Sequence, residues 1–139
     1  MAPVFVDTSV WYAAADAGDA HRDVAQSLLA EHAGTLVTSD LVLGELWNLI
    51  TARSNHALAN RVINAIAAGI AQIECTTRAD FEAAQTVQAD YPDQAFSLTD
   101  RTSWALMERL AITQALAFDT DFRVYRYGPR KTQAFAVHP

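Results

Sequence analysis

Four acidic residues stand where strands should end or helices should begin: Asp7, Glu45, Asp100 and Asp119. Three of them interrupt apolar surroundings. Val4-Phe5-Val6 precedes Asp7, Leu43-Gly44 and Leu46-Trp47 enclose Glu45, and Ala115-Leu116-Ala117-Phe118 leads into Asp119. An unpaired carboxylate is costly to bury. Two of them at ~4 Å, in a medium of effective dielectric ~20, repel by about 4 kcal/mol. A divalent cation reverses that sign, and hard oxygen donors suit Mg²⁺ or Mn²⁺. The four acids therefore point to a metal-dependent site, provided the fold gathers them.

Each acid also has a plainer reading. Asp7 and Asp100 could be helix caps, Glu45 a polar position on an amphipathic helix, and Asp119 or Asp121 a turn former in Phe118-Asp119-Thr120-Asp121-Phe122. Thr8, Ser9 and Thr99 carry hydroxyls that either cap helices or orient carboxylates from a second layer. Arg101, Arg123 and Arg126 could grip phosphate through forked contacts or pair with the acidic body.

The elements that must position these groups alternate. Pro3–Val6, Thr35–Thr38, Ile73–Thr76, Ala115–Phe118 and Phe135–Val137 read as short buried strands. Helical spacing fills the intervals. One helix starts at Val10. A second covers His21–His32, with Val24, Leu28 and Leu29 on one face. A third carries Leu41, Val42, Leu46, Leu49 and Ile50 from a cap at Ser39 or Asp40. A break at Ser54-Asn55 precedes a fourth, which ends at Gly69. A fifth, capped by Thr76 or Thr77, presents Phe81, Ala84 and Val87, and a sixth is entered through Leu98-Thr99-Asp100. Such alternation predicts an α/β fold with a parallel sheet and helices on both faces. Function in such sheets collects at the carboxyl ends of the strands, where Asp7 and Asp119 fall.

A chain of 139 residues is expected to form one domain. Cys75 is the only cysteine, so no intrachain disulfide can form, which fits a reducing cytoplasm. No signal peptide is visible, and no apolar stretch nears the ~18–20 residues that span a bilayer. The net charge of −6 argues against nucleic acid, but its distribution is uneven. Residues 1–100 hold four basic and thirteen acidic groups, whereas residues 101–139 hold six basic and three acidic ones. His21 and His32 lie about 16 Å apart along one helix, so the histidines form no ligand cluster. Trp11, Trp47 and Trp104 suit packing better than base stacking. No glycine-rich phosphate loop and no Ser/His/Asp order appears.

Taken in order, Val4–Ser9, Ser39–Glu45, Ser97–Met107 and Ala115–Phe122 resemble the PIN-domain ribonucleases, in particular the VapC-type toxins of toxin–antitoxin pairs. The resemblance covers essentially the whole chain. It implies a PIN-like three-layer α/β/α fold with a central, mostly parallel, five-stranded sheet. It implies that Asp7, Glu45, Asp100 and Asp119 form the acidic quartet, with Asp121 competing with Asp119 for the fourth place. It also implies Mg²⁺ or Mn²⁺ dependence, RNA as substrate, a homodimer and a cognate antitoxin. A segment of that antitoxin is expected across Leu46, Trp47, Leu49 and Ile50. Two rival readings stand beside it: a catalytically weak module that acts by binding a partner, and an aspartate-based phosphotransfer domain.

Overall fold

The computed structural model describes residues 1–139. Five strands form one sheet: β1 (Val4–Val6), β2 (Leu36–Ser39), β3 (Gln72–Glu74), β4 (Gln114–Leu116) and β5 (Ala136–His138). Their order is β3-β2-β1-β4-β5, and every pairing is parallel. The expected sheet is thus present, with no antiparallel strand. Each strand is offset by one or two residues from its expected bounds, as is usual for element ends.

The helices are α1 (Thr8–Ala15), α2 (Arg22–Glu31), α3 (Asp40–Arg53), α4 (His56–Ala65), α5 (Arg78–Asp90), α6 (Leu98–Arg109) and the short α7 (Asp121–Val124). Their starts follow from side-chain chemistry. Asp7, Ser39, Asn55, Thr77 and Ser97 each accept a backbone N–H of the first turn. Asp100 is therefore not a cap; it lies inside the first turn that Ser97 caps. A π-turn (Ile66–Ile70) ends α4, and Gly69 adopts φ 138° there, a conformation closed to most residues. Right-handed crossovers place α1–α4 on one face of the sheet and α5–α7 on the other, because the chain reverses its direction of travel between β3 and β4. That reversal makes the carboxyl ends of β1 and β4 a topological switch point.

Two helical faces differ from the sequence expectation. In α2, Val24 is exposed, while Ala25 and Leu28 point inward. In α5, Phe81 is exposed and Asp80 is buried in its place. The cause is Arg109 at the end of α6, whose Nε and Nη2 donate to Asp80 Oδ1 and Oδ2, both at 2.9 Å. Thr77 and Asp80 also complete a capping box. Burial would raise the Asp80 carboxyl, but the Arg109 and Thr77 hydrogen bonds outweigh it and hold the group below its ordinary value. A paired carboxylate thus joins the expected Ala84 and Val87 on the buried face of α5.

The apolar face of α3 is also occupied. Leu46 and Ile50 are buried in the core, and the half-buried Trp47 donates its indole N–H to Asn60 of α4 at 2.8 Å. Of the surface expected to take a partner, Leu46 and Ile50 are thus packed away, while Trp47 and Leu49 remain half-buried. An open apolar groove of about 400 Å³ lies instead where α1, α2 and α4 meet, walled by Trp11, Leu29, Val62, Ile66 and Ile70. No helix is long and apolar enough to cross a membrane.

Asp80 is buried but Arg109 is exposed, so losing Arg109 removes charged hydrogen bonds that water can partly replace. Arg109→Ala is expected to destabilise the fold by about 2 kcal/mol, read as a lower urea midpoint at unchanged slope.

Candidate metal centre

The residues at the switch point are held by a short hydrogen-bond chain. Asp7 follows β1, and its backbone N–H donates to Leu116 O of β4 at 3.0 Å. The Ser9 hydroxyl donates to Asp7 Oδ2 at 2.6 Å and accepts the Phe118 N–H at 3.0 Å. Ser9 thereby ties the end of β1 to the segment after β4. Asp7 Oδ2 also accepts the Ser9 N–H, so this oxygen is the cap of α1. Asp7 Oδ1 is buried and has no hydrogen-bond partner. Capping and metal binding are thus not exclusive readings of Asp7: its two oxygens can divide the work.

Asp100 enters from the first turn of α6, where the positive end of the helix dipole favours an anion. Asp119 follows β4, and its Oδ1 accepts the Asp121 N–H at 2.9 Å. One carboxylate oxygen from each of Asp7, Asp100 and Asp119 lies within 4.8 Å of the others. Asp7 and Asp100 are 3 % and 4 % exposed. Glu45, from the second turn of α3, stands outside this trio but lines the same pocket, as do Thr8, Ser9, Ser97 and Asp121. The cavity measures about 310 Å³. Between the two competing acids, Asp119 belongs to the trio and Asp121 to the wall. The Thr8 hydroxyl is buried without a partner. The carbonyl of Thr99 accepts hydrogen bonds from Thr102 and Ser103, and its side chain is not among the pocket's lining groups.

These acids are out of balance with one another. Burial, opposed in part by Ser9, pushes Asp7 up to about 6. Burial, then the charges of Asp7 and Asp119, a hydrogen bond with Asp119 and the charge of Glu45 push Asp100 up to about 9. Burial and Asp119 raise Asp121 as well. No arginine or lysine lines the pocket to offset this. An all-oxygen donor set, an orphaned buried carboxylate oxygen and uncompensated negative charge fit a hard divalent cation such as Mg²⁺ or Mn²⁺. The three clustered aspartates would hold it, with Glu45 within the same cavity.

The three arginines singled out in the sequence lie elsewhere. Arg101 donates to Phe96 O, Ala84 O and Gln85 Oε1, fastening α6 to α5. Arg123 donates to Pro139 O, and Arg126 to Arg123 O, Val124 O and Tyr125 O. None forms an ion pair; the salt bridges are Arg78–Glu82, Arg109–Asp80 and Lys131–Asp90. Pairing of these arginines with the acidic body is therefore not what the structure shows. Carbonyl groups take part of their donors instead: Nε and Nη1 of Arg101, Nη2 of Arg123 and Nη1 of Arg126. Lys131, the single lysine, is held by Asp90 at 3.3 Å and lines none of the acidic pocket, which leaves the site without the lysine of a phosphotransfer receiver.

Asp7 and Asp100 bind protons more tightly in the folded chain than at their ordinary value of 3.8. Their favourable contribution is complete below that value and is lost as pH rises through about 6 and about 9. In chelator, Tm is therefore expected to fall from pH 5 to pH 9, and Mg²⁺ to raise Tm more at pH 9 than at pH 5. Asp100→Asn is expected to raise the Tm of the metal-free protein at pH 8.5, by about 3–5 °C per kcal/mol relieved. A flat profile by scanning calorimetry, or destabilisation by Asp100→Asn, would show that the acids are not strained by one another.

Comparison with known proteins agrees with this geometry. Residues 4–126 match the PIN domain family. The chain is 35% identical to VapC20 of Mycobacterium tuberculosis, described as a 23S rRNA-specific endonuclease, over 119 residues that cover 86% of this chain and 91% of that protein. The crystal structure of the Mycobacterium tuberculosis VapC20, a sarcin–ricin loop cleaving toxin, superposes with a TM-score of 0.82 and 34% identity, covering 87% of this chain and 93% of that one. A toxin–antitoxin complex from Klebsiella pneumoniae shares the fold alone, at a TM-score of 0.63 and 13% identity over 84% of this chain and 87% of that one. A five-stranded parallel sheet with three aspartates gathered at its switch point, matched along most of its length to these relatives, places the chain in the PIN domain family.

Proposed function

We propose that this chain is a metal-dependent endoribonuclease toxin of a type II toxin–antitoxin pair, with residues 1–139 acting as one PIN-like unit. The observation that carries the reading is the cluster of Asp7, Asp100 and Asp119 around an unpartnered carboxylate oxygen. A module that only bound a partner would gain nothing from three clustered acids that repel, two of them buried. The relative that cleaves 23S rRNA makes ribosomal RNA the first substrate to try.

The reaction is hydrolysis of a phosphodiester. Water attacks phosphorus in line, the bond to the 3′ oxygen of the preceding nucleotide breaks, and 5′-phosphate and 3′-hydroxyl ends result. A bound Mg²⁺ or Mn²⁺ supplies acidity to water and neutralises charge on the phosphate oxygens. Asp7, Asp100 and Asp119 would hold that ion, and Ser9 fixes the rotamer of Asp7. Glu45, which lines the same cavity, would help hold a second cation or take the proton of the attacking water. Thr8 offers an unpartnered hydroxyl to the same shell, whereas Thr99 contributes through the first turn of α6. Arg101, Arg123 and Arg126 have donors committed to carbonyls, so their part in RNA binding is long-range attraction rather than a forked grip.

An antitoxin is the partner assigned to the groove between α1, α2 and α4, whose walls are almost wholly apolar and suit the face of an amphipathic helix. The assembly is read as a homodimer in the cytoplasm. Hydrogen exchange with the antitoxin is expected to protect residues 24–30 and 62–70; protection confined to α3 would move the partner back to the surface first expected.

Purified chain is expected to cut ribosomal RNA in Mg²⁺ or Mn²⁺ and not in EDTA. Asp7→Asn and Asp119→Asn should each lower the rate roughly 100- to 1,000-fold, the equivalent of several kcal/mol at the transition state, while Asp121→Asn changes it less than about 10-fold. Full activity in Asp7→Asn would end the metal reading. Sequencing the 5′ ends of RNA after brief expression would identify the cut.

A further inference from the structure

His21 and Phe118 form an aromatic pair beside the acidic pocket that neither the fold nor the chemistry so far accounts for. Their ring centroids are 4.8 Å apart with planes 23° from parallel, a stacked arrangement. Phe118 is half-buried at the edge of the core. It immediately precedes Asp119, and its N–H is held by the Ser9 hydroxyl that also holds Asp7. The platform is thus tied by one residue and one hydrogen bond to two of the three clustered acids. His21 is exposed. It precedes α2 but makes no side-chain cap, and its ring has no hydrogen-bond partner. What is fixed is its backbone: the His21 N–H donates to Asp19 Oδ1 at 2.7 Å, and its carbonyl accepts the Ala25 N–H at 2.9 Å. The ring therefore has one face on Phe118, the other open, and an anchored origin.

We propose that the open face of His21 stacks a nucleobase adjacent to the scissile phosphate. This rests on the endoribonuclease reading and names how that site holds its substrate. Sequence-specific RNA recognition targets unstacked bases in loops, which pair face to face with aromatic rings, histidine included. A nucleobase hangs only a few single bonds from its phosphate. When that phosphate sits at the aspartates, a flanking base is within reach of a ring that rests on Phe118, the residue before Asp119. The contact adds affinity without charge, which suits a chain whose net charge repels RNA.

The test compares wild type, His21→Ala and His21→Phe on a short RNA that spans the cut mapped with wild type. A stacking contact is worth roughly a 5- to 150-fold change in affinity. His21→Ala is expected to raise KM within that range with kcat changed less than about 3-fold, and His21→Phe to restore KM. In the Asp7→Asn background, 2-aminopurine placed beside the cut should be quenched on binding, and the quench should disappear with His21→Ala. Unchanged KM and quench in His21→Ala overturn the platform while leaving the nuclease intact. Failure of His21→Phe to rescue overturns stacking in favour of imidazole chemistry. A wild type that cuts no RNA overturns the functional reading itself, and the platform with it.

Discussion

Mutual repulsion among three clustered carboxylates, two of them buried and the third half-buried, is the constraint around which this structure is arranged. Asp7, Asp100 and Asp119 come from the end of one strand, the first turn of a helix and the segment after another strand, and no cation of the chain lies among them. Left alone, such a cluster costs the fold several kcal/mol, and part of it must carry protons. The rest of the molecule supplies the rigidity that keeps the cluster together: a parallel sheet, a serine bridge between β1 and the end of β4, and a capped helix aimed at the site. Affinity for a divalent cation and latent instability without one are two aspects of the same arrangement.

Charge elsewhere is handled in the opposite way. Asp80 is as buried as Asp7, yet a two-pronged contact with Arg109 and a capping box satisfy it. Its carboxyl is held low where those of Asp7 and Asp100 are pushed up. The contrast sets Asp80, whose charge is matched within the chain, apart from Asp7 and Asp100, whose charge no cation of the chain offsets, and marks the latter as candidate metal ligands. The arginines tell the same story: those near the C-terminal segment fasten carbonyls and leave the acidic pocket uncompensated.

Much of this was legible in the residues. The strands fall within one or two residues of their expected places, since short apolar runs act locally, and six of the seven helices were expected; the short α7 was not, and α4 gives way to a π-turn before Gly69. Three of the four acids were visible because they interrupt apolar runs, a pattern costly to keep for no purpose, and Asp100 because it stands at a helix entrance. The helix faces were less legible. Val24 and Phe81 look like core residues by spacing but are exposed, and the cause for α5, Arg109, lies 29 positions from Asp80. Likewise, the apolar side of α3 suggested a partner surface, but Leu46 and Ile50 on it are packed into the core.

The sequence by itself determined the element types, the α/β class, the identity of the acids and the family resemblance, because these depend on local propensity and on order along the chain. Only the tertiary structure decided that β1 lies beside β4, that Asp119 rather than Asp121 joins Asp7 and Asp100, and that His21 rests on Phe118. Those outcomes depend on strand order and on distances of a few ångströms between groups up to 112 residues apart, Asp7 and Asp119 at the extreme. Spacing along a chain carries no such information, because a crossover can bring any two strand ends together.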